Sequence, residues 1–586
     1  MYDVGHTVAV LLVGIWATNR KLPQITAFGV IMSSFSMFLL ALPVAIFGPV
    51  AHKVTPNNDL VKYLEENVCS GKRFVEDGET MTNCMYDKME HTAAFRMLSF
   101  AQLLAGIAAA PFNTIAYVYI DDNLKDKNKS PFYLGLLSSM YAFGPAFGFL
   151  LSAGLTRVHT TLFYPPANTD INNDEWVGAW WLGFLICGIL YFICSIPLFF
   201  FPKSLLHPDG DPNCIEMQRL RSCNSFIDCL EIPSLAYNLS KNPIFVSMVI
   251  GWMFGSYLIG GYSSYLPKYL ETQYSKSASE SDIYAGIISI GSVAVSTALG
   301  GYILTRFNFS PRKAMLFLIA SWSFIVVSYL VGMSIGCDEP TIQELAVNDL
   351  TGRLAFTDVH ECNWNCECRS VNHFNPVHYG MQNFFSPCHA GCKSYNRQLN
   401  VWNECSCANM GEVENGLYLA KCDQIYIYIG IMFIGLFFGN LFFMTTMMVV
   451  LRSVYDCQKV LALSFASCIT NIFGFIPAPV FFGWIIDHTC LLWHDPKCLH
   501  DRGNCVIYDN KIFRQAFHAI NAGVQVLAVI SVAVCYVISR TRKFPEEEEV
   551  VDDADPMELL HQEQQNEQQH LSQGPLNSST LHETDF

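Results

Sequence analysis

Eleven stretches of about twenty apolar residues recur along this 586-residue chain, and no soluble fold needs so many. They fall at roughly 4–18, 24–48, 97–120, 132–155, 179–200, 243–267, 284–304, 314–335, 424–450, 460–486 and 515–539. Only 15% of residues are charged, against about 25% in soluble proteins. In a bilayer each backbone N–H and C=O must be satisfied within the segment, so such stretches read as helices. The sequence therefore predicts an all-α membrane protein.

Basic residues give its orientation. Arg20 and Lys21 follow the first stretch, Lys125, Lys127 and Lys129 the third, and Arg306, Arg312 and Lys313 the seventh. Arg452 and Lys459 follow the ninth, and Arg540, Arg542 and Lys543 the last. Alternating spans place all of these on one side, expected to be cytosolic. The C-terminus is then cytosolic and the N-terminus of this chain extracellular. The sequons at Asn128, Asn238, Asn308 and Asn577 all fall on the cytosolic side and should carry no glycan. Much of the net charge of −16 lies in the tail, where Glu546 to Glu549, Asp552, Asp553 and Asp555 precede a Gln/Glu-rich run expected to be disordered. The end, Thr584-Asp585-Phe586, fits a T-x-Φ pattern read by PDZ-type domains that capture C-terminal carboxylates.

Fourteen of the 22 cysteines fall in segments expected outside, where disulfides persist. Cys69 and Cys84 sit between the second and third stretches and are expected to pair with each other. Nine crowd into 336–423: Cys337, Cys362, Cys366, Cys368, Cys388, Cys392, Cys405, Cys407 and Cys422. Cys490, Cys498 and Cys505 follow the tenth stretch. A segment this rich in cysteine and poor in apolar residues reads as a small stapled domain. Nine is odd, so one thiol is left over unless it pairs outside the segment. Zinc is the alternative use of such cysteines, disfavoured for oxidised thiols, and no metal is expected.

The run Trp176-Val177-Gly178-Ala179-Trp180-Trp181-Leu182-Gly183-Phe184-Leu185 places three tryptophans where a polar segment enters an apolar helix. Tryptophan favours that interfacial level. Read as W-V-G-A-W-W-x-G-F-L, with Trp176, Gly178, Trp180 and Trp181 as its anchors, the run resembles the signature of the organic anion transporting polypeptides. Further resemblances are Tyr119-Ile120-Asp121-Asp122, Leu266-Pro267-Lys268-Tyr269-Leu270-Glu271, Leu451-Arg452-Ser453-Val454, and Gly483, Ile486-Asp487 and Cys490. The cysteine segment resembles that family's Kazal-like loop, except that P-V-C-G becomes Pro376-Val377-His378-Tyr379-Gly380. Gly144-Pro145-Ala146-Phe147-Gly148 resembles the G-P-x-x-G element of major facilitator transporters, and Gly-Pro elements recur at Gly474 to Pro479, including Pro477.

The resemblance implies a major facilitator architecture of two pseudo-symmetric bundles. An N-terminal bundle at 1–200 and a cytosolic connection at 201–242 precede a C-terminal bundle at 243–539, interrupted by the Kazal-like loop at 336–423, with a tail at 540–586. Asp3-Val4-Gly5 falls on the start of the family's second helix, so eleven of twelve helices are matched. A short isoform or an incomplete gene model accounts for this, the second favoured because no other part of the fold is trimmed. The implied activity is secondary-active or facilitative, sodium-independent transport of large amphipathic organic anions by alternating access at the plasma membrane. No cofactor, nucleic acid or glycine-rich nucleotide loop is indicated, nor a paired acid/base or nucleophile constellation, so an enzyme is not expected. The rival reading is a non-transporting membrane protein whose Kazal-like loop binds a protease or other protein.

The expected cavity is short of charge. Where the family often reads L-R-G-I-G-E-T-P, this chain has Leu104-Ala105-Gly106-Ile107-Ala108-Ala109-Ala110-Pro111, and Asn471 stands where arginine often precedes L-G-x-I-P. Cavity contacts are expected from Asn113, Trp252, Tyr257, Tyr262, Asn440, Thr445 and Asn471. Arg96 and Lys268 are expected to draw anions to an external mouth. Asp121 and Asp122 are expected to latch to Arg20 or Lys21, with Gly144, Pro145, Arg452 and Pro477 serving the moving interface.

Overall fold

The computed structural model describes residues 1–17, 21–48, 68–69, 80–162, 177–202, 237, 239–343, 345–347, 354–356, 362–366, 368, 374–396, 401–418, 422–455, 458–493, 505–542 and 544. Arg20, Trp176, Cys498 and Thr584-Asp585-Phe586 lie outside the described residues, as do most of 201–242 and of the tail; the same holds for the side chains of Cys84 and Pro145.

Each of the eleven apolar stretches forms helix. The first five are α1 (Tyr2–Ala17), α2 (Leu22–Phe47), α3 (Thr80–Asp122), α4 (Ser130–Leu155) and α5 (Trp180–Leu198). Next come α6 (Pro243–Tyr274), then α7 (Ala278–Ile287) continued through a wide turn at Ile288–Ala294 into α8 (Val295–Arg306), and α9 (Pro311–Gly332). α10 (Gln424–Asn440) leads into α11 (Met444–Arg452), and α12 (Lys459–Thr470) runs through a second wide turn, Asn471–Phe475, into α13 (Pro477–His488); α14 (Asn510–Thr541) is last. Among the described residues, nine helical segments are long and apolar enough to cross a bilayer, and α1 carries a shorter apolar run. Pro477 explains the second wide turn: it opens α13, and lacking an N–H it cannot continue the α-helical ladder.

Helices α1, α2, α3 and α5 pack on one another, as do α6, α9, α10 and α14. Two seams join these groups: α4 lies along α7 and α8, and α1 against α12 and its wide turn. Helix ends alternate, so the basic turns gather at one end and the cysteine-rich segments at the other. Close approach across the second seam is made at Gly14, where any Cβ would collide with the Ser464 side chain. The glycines of the G-P-x-x-G element behave differently from expectation. A Cβ at Gly144 or Gly148 would meet open space, and the tight glycine contact of α4 is instead at Gly135 against Gly301.

The cysteine-rich segment forms a module with a five-stranded antiparallel sheet. Its strands are β3 (Val377–Tyr379), β4 (Gln382–Phe384), β5 (Ser394–Asn396), β6 (Val401–Cys405) and β7 (Gly411–Asn415), in the order β4-β3-β7-β6-β5. A short hairpin of β1 (Leu345–Val347) and β2 (Leu354–Phe356) precedes it, and β8 (Cys490–Trp493) pairs with β9 (Cys505–Tyr508) elsewhere at this end. A small core of Val377, Phe384, Trp402 and Val413 surrounds the Cys392–Cys405 bridge, and the Trp402 indole donates to Asn415 Oδ1 at 2.6 Å. Cys362–Cys407 and Cys368–Cys388 staple the interior, Cys337–Cys422 closes the base, and Cys490–Cys505 ties β8 to β9.

The expected Cys69–Cys84 pair does not form. Cys69 bonds to Cys366, 297 residues away. The ninth cysteine of the module thus finds its partner in the segment between α2 and α3, while His378 occupies the position where the family reads cysteine. The Cys69 N–H also donates to the Cys392 carbonyl at 2.7 Å, and Val68 packs on the module core, so the bridge is backed by noncovalent docking.

Candidate functional site

Two buried polar contacts join the first helix group to α12 and the wide turn after it, one from the end of α3 and one from α1. The first lies at the basic end. Lys459 opens α12, where the helix dipole disfavours a cation, and its ammonium sits 2.6 Å from Asp121 Oδ2, with side-chain exposures of 1% and 2%. The other carboxylate oxygen accepts from the Ser130 hydroxyl at 2.5 Å, at the start of α4. Asp121 is therefore held by Lys459 and Ser130, while the expected latch to Arg20 lies outside the described residues. A charge without a partner would be untenable in this dry site, which is what forces the two helix ends together.

The second contact is uncharged. His6 on α1 is 5% exposed, as is Asn471 in the wide turn after α12. The Asn113 amide nitrogen lies 3.0 Å from His6 Nε2, and the Asn471 amide nitrogen 2.5 Å from Nδ1. The Tyr141 hydroxyl of α4 donates to Asn113 Oδ1 at 2.5 Å. Tyr2 stacks on the His6 ring at 6.3 Å, and Tyr117 on Tyr141 at 6.2 Å. Counted along the helices at a 1.5 Å rise, Asn113 and Asn471 stand roughly 12 and 18 Å from the Asp121–Lys459 pair. That is near the middle of a hydrocarbon core about 30 Å thick. Phe112, Ile472 and Phe473 are exposed beside this layer and supply apolar surface.

The structure thus joins Asn113 and Asn471 through a residue that the sequence did not single out. The available signal was a histidine inside an apolar helix, which is by itself a reason to look for a function. Other expected contacts are dispersed. Tyr262 is packed between Tyr329 and Phe517, inside the second helix group. Asn440 turns back to donate to the Leu436 carbonyl at 2.8 Å, closing the end of α10. Thr445 is buried, its hydroxyl without a hydrogen-bond partner among the described residues. Trp252 borders the core at the basic end, and Tyr257 packs on Phe481 and Phe482.

The two residues expected at a cationic mouth have different surroundings. Arg96 is exposed, but Lys268 is 3.4 Å from Glu271 and 5.8 Å from the Tyr508 ring centre. Burial first, and then the charges of Asp487 and Glu271, push the Tyr508 phenol up to about 12. Lys268 therefore stands among acids, which blunts its pull on a solute anion.

The tryptophan signature is structural in what can be described of it. Gly178 bridges to His159, and a Cβ there would lie 2.5 Å from Thr156 Cα, so only glycine lets the incoming strand cross the end of α4. Trp181 donates its indole N–H to the Thr160 carbonyl at 3.2 Å, while Trp180 faces outward against Phe184 at 6.2 Å.

Membrane-length helices in two groups, joined at a midplane layer of hydrogen-bonding side chains, define a multi-pass membrane carrier of small organic solutes. The chain belongs to the Organic Anion Transporter Polypeptide family, whose model matches residues 1–513. It is 26% identical to solute carrier organic anion transporter family member 1B2 of mouse, over 92% of this chain and 84% of that protein. Human family member 4C1 is 27% identical over 90% and 73%, and rat member 1A4 27% over 93% and 85%. Solved structures sharing parts of the chain path include a bacterial homologue of the iron transporter ferroportin (TM-score 0.44, 12% identity, 92% of this chain and 89% of that one). A D-xylose–proton symporter scores 0.43 at 10% identity, over 91% and 87%. Both likenesses are too slight to add to the family match.

Proposed function

We propose that this chain carries large amphipathic organic anions, of the steroid-conjugate, eicosanoid, thyroid-hormone or bile-salt type, across the plasma membrane. Transport is sodium-independent and runs by alternating access, the two bundles at 1–200 and 243–539 rocking about the solute. The observation that carries this reading is the Asn113–His6–Asn471 layer, which places hydrogen-bonding groups from both bundles at one midplane point. Such a point is where a solute can be gripped from either side. In this reading the basic end and the C-terminus are cytosolic, the cysteine module and the N-terminus of this chain external, and Thr584-Asp585-Phe586 a ligand for a PDZ-type scaffold.

Among the described residues the layer holds no fixed cation, so a solute whose charge is weak or delocalised suits it better than one with a localised sulfate. Uptake of a labelled iodothyronine and of labelled estrone sulfate by the full chain at neutral pH tests this. Estrone sulfate is expected to enter more slowly, and Asn471→Arg to raise its entry several-fold. Fast sulfate uptake with no gain from the arginine would defeat this reading.

A second reading rests on the module. Trp364, Met381 and Met410 are large apolar side chains exposed on it, and they suit a protein partner. Binding of a secreted protease to the whole chain, lost in a Met381→Glu, Trp364→Glu double variant, would favour it.

A further inference from the structure

At the basic end the two helix groups differ in how their charges are matched. The first group mixes signs: Asp121, Asp122 and Asp126 stand near Lys125 and Lys129, and Lys129 lies 4.0 Å from Asp126. The second group is described at this end over 239–242, 304–313, 452–455, 458–459, 539–542 and 544, and none of those residues is an aspartate or glutamate. Arg306, Lys313, Arg540 and Arg542 are exposed there. Among the described residues none of these four forms an ion pair.

The chain leaves the helices at this same face. Helices α9 and α14 pack together, and Arg312 in the first turn of α9 closes the end of α14. Its Nε donates to the Ser539 carbonyl at 2.8 Å and its Nη2 to the Arg542 carbonyl at 3.3 Å. The same guanidinium carbon sits 5.7 Å from the centre of the Phe544 ring. Phe544 is 2% exposed and packed in the core of the second group, so the start of the tail is fixed beside Arg312.

Seven carboxylates follow at once: Glu546 to Glu549, Asp552, Asp553 and Asp555. A chain spans at most about 3.5 Å per residue, which keeps Glu546 within roughly 7 Å of Phe544 and Glu549 within roughly 18 Å. Salt screens exposed charges beyond about 8 Å at physiological ionic strength, so the run begins inside the reach of the cations. So short a leash holds the acids at an effective concentration in the millimolar range. The run has only Val550, Val551 and Ala554 as apolar side chains, which leaves charge as its means of contact.

We propose that the acidic run 546–555 docks back on the basic face formed by Arg306, Arg312, Lys313, Arg540 and Arg542, with buried Phe544 fixing where it starts. Each exposed ion pair is weak alone, and several on one tether make the contact persist. Docked, the run relieves the repulsion among these cations and screens them from the anionic headgroups of a membrane leaflet, the rival occupant of such a face. Docking of the tail is independent of what the molecule carries.

The test is zero-length cross-linking of the full chain in bilayer discs of phosphatidylcholine alone and of phosphatidylcholine with phosphatidylserine. A water-soluble carbodiimide activates a carboxylate, and an amine held against it displaces the urea to form an amide. Mass spectrometry is expected to find Lys313 joined to the 546–549 glutamates within one chain in both bilayers. The yield is expected to fall several-fold at about 1 M salt, where the screening length is about 3 Å. The Glu546→Gln, Glu547→Gln, Glu548→Gln, Glu549→Gln chain, altered only in the tail, should lose that link. Cleavage of the run by a glutamate-specific protease should be several-fold faster in the Arg306→Gln, Arg540→Gln, Arg542→Gln chain. A Lys313 amine that joins no residue of 546–555 in either bilayer overturns the proposal. A link present in phosphatidylcholine and lost with phosphatidylserine also overturns it, because the lipid headgroup is then the occupant. Links that join only isotopically heavy to light chains in a mixed sample overturn it too, since the tail then docks on a second copy.

Discussion

The two polar contacts that join the first helix group to α12 and its wide turn are built from opposite materials. Asp121 and Lys459 form a charged pair, both nearly inaccessible, with a serine on the remaining carboxylate oxygen. Asn113, His6 and Asn471 form a neutral chain with apolar surface exposed beside it. A buried ion pair has no cheap alternative partner, so it acts as a fixed pin at one end of the molecule. Amides and an imidazole can exchange one another for a solute at about 1 kcal/mol per hydrogen bond. The difference separates what holds a conformation from what meets cargo.

That comparison breaks first at the pin. Asp121→Asn leaves Lys459 buried without its countercharge and is expected to cost about 3–5 kcal/mol, seen as lost surface expression and a lower Tm in detergent. Adding Lys459→Met should restore most of that stability, since it removes the lone buried charge that Asp121→Asn leaves behind. Transport by the double variant would stay low, because the pin that favours one access state is gone. Equal damage from the single and double variants would show that the pair is not the coupled unit described.

The cysteine module offers a smaller effect. With a protease site introduced between α3 and α6, the two fragments should migrate together on a non-reducing gel through Cys69–Cys366 and separate on reduction. Cys69→Ser, Cys366→Ser chain should separate in both conditions. Joint migration of the serine variant would assign the link to other cysteines.

The smallest effect is expected at Asn440, whose amide only caps its own helix. Asn440→Ala should cost about 1 kcal/mol of stability and leave solute preference unchanged. A changed preference would return Asn440 to the cavity.

The helices were legible from the chain because twenty apolar residues in a row have few other fates, and the two wide turns fall within stretches read as continuous. The signature at 176–185 gave the family, and Gly178 shows why its glycine is needed. The partner of Cys69 was half legible: nine cysteines in the module required one to look outside, but spacing does not state connectivity. Lys459 was visible only as another basic residue after a helix, its partner lying 338 residues away. His6 carried no motif, and its meaning depends on Asn113 and Asn471, 107 and 465 residues distant. Pairings between remote helices set the site, and local pattern does not encode them.

The most direct test of the division between pin and cargo layer is protection by solute. Asn471→Cys and Lys459→Cys chains would each be labelled with a membrane-permeant maleimide, reading the excess over unsubstituted chain, with and without saturating iodothyronine. Solute is expected to slow labelling at position 471 several-fold and to leave position 459 unprotected. Equal rates at 471 with and without solute would contradict the account.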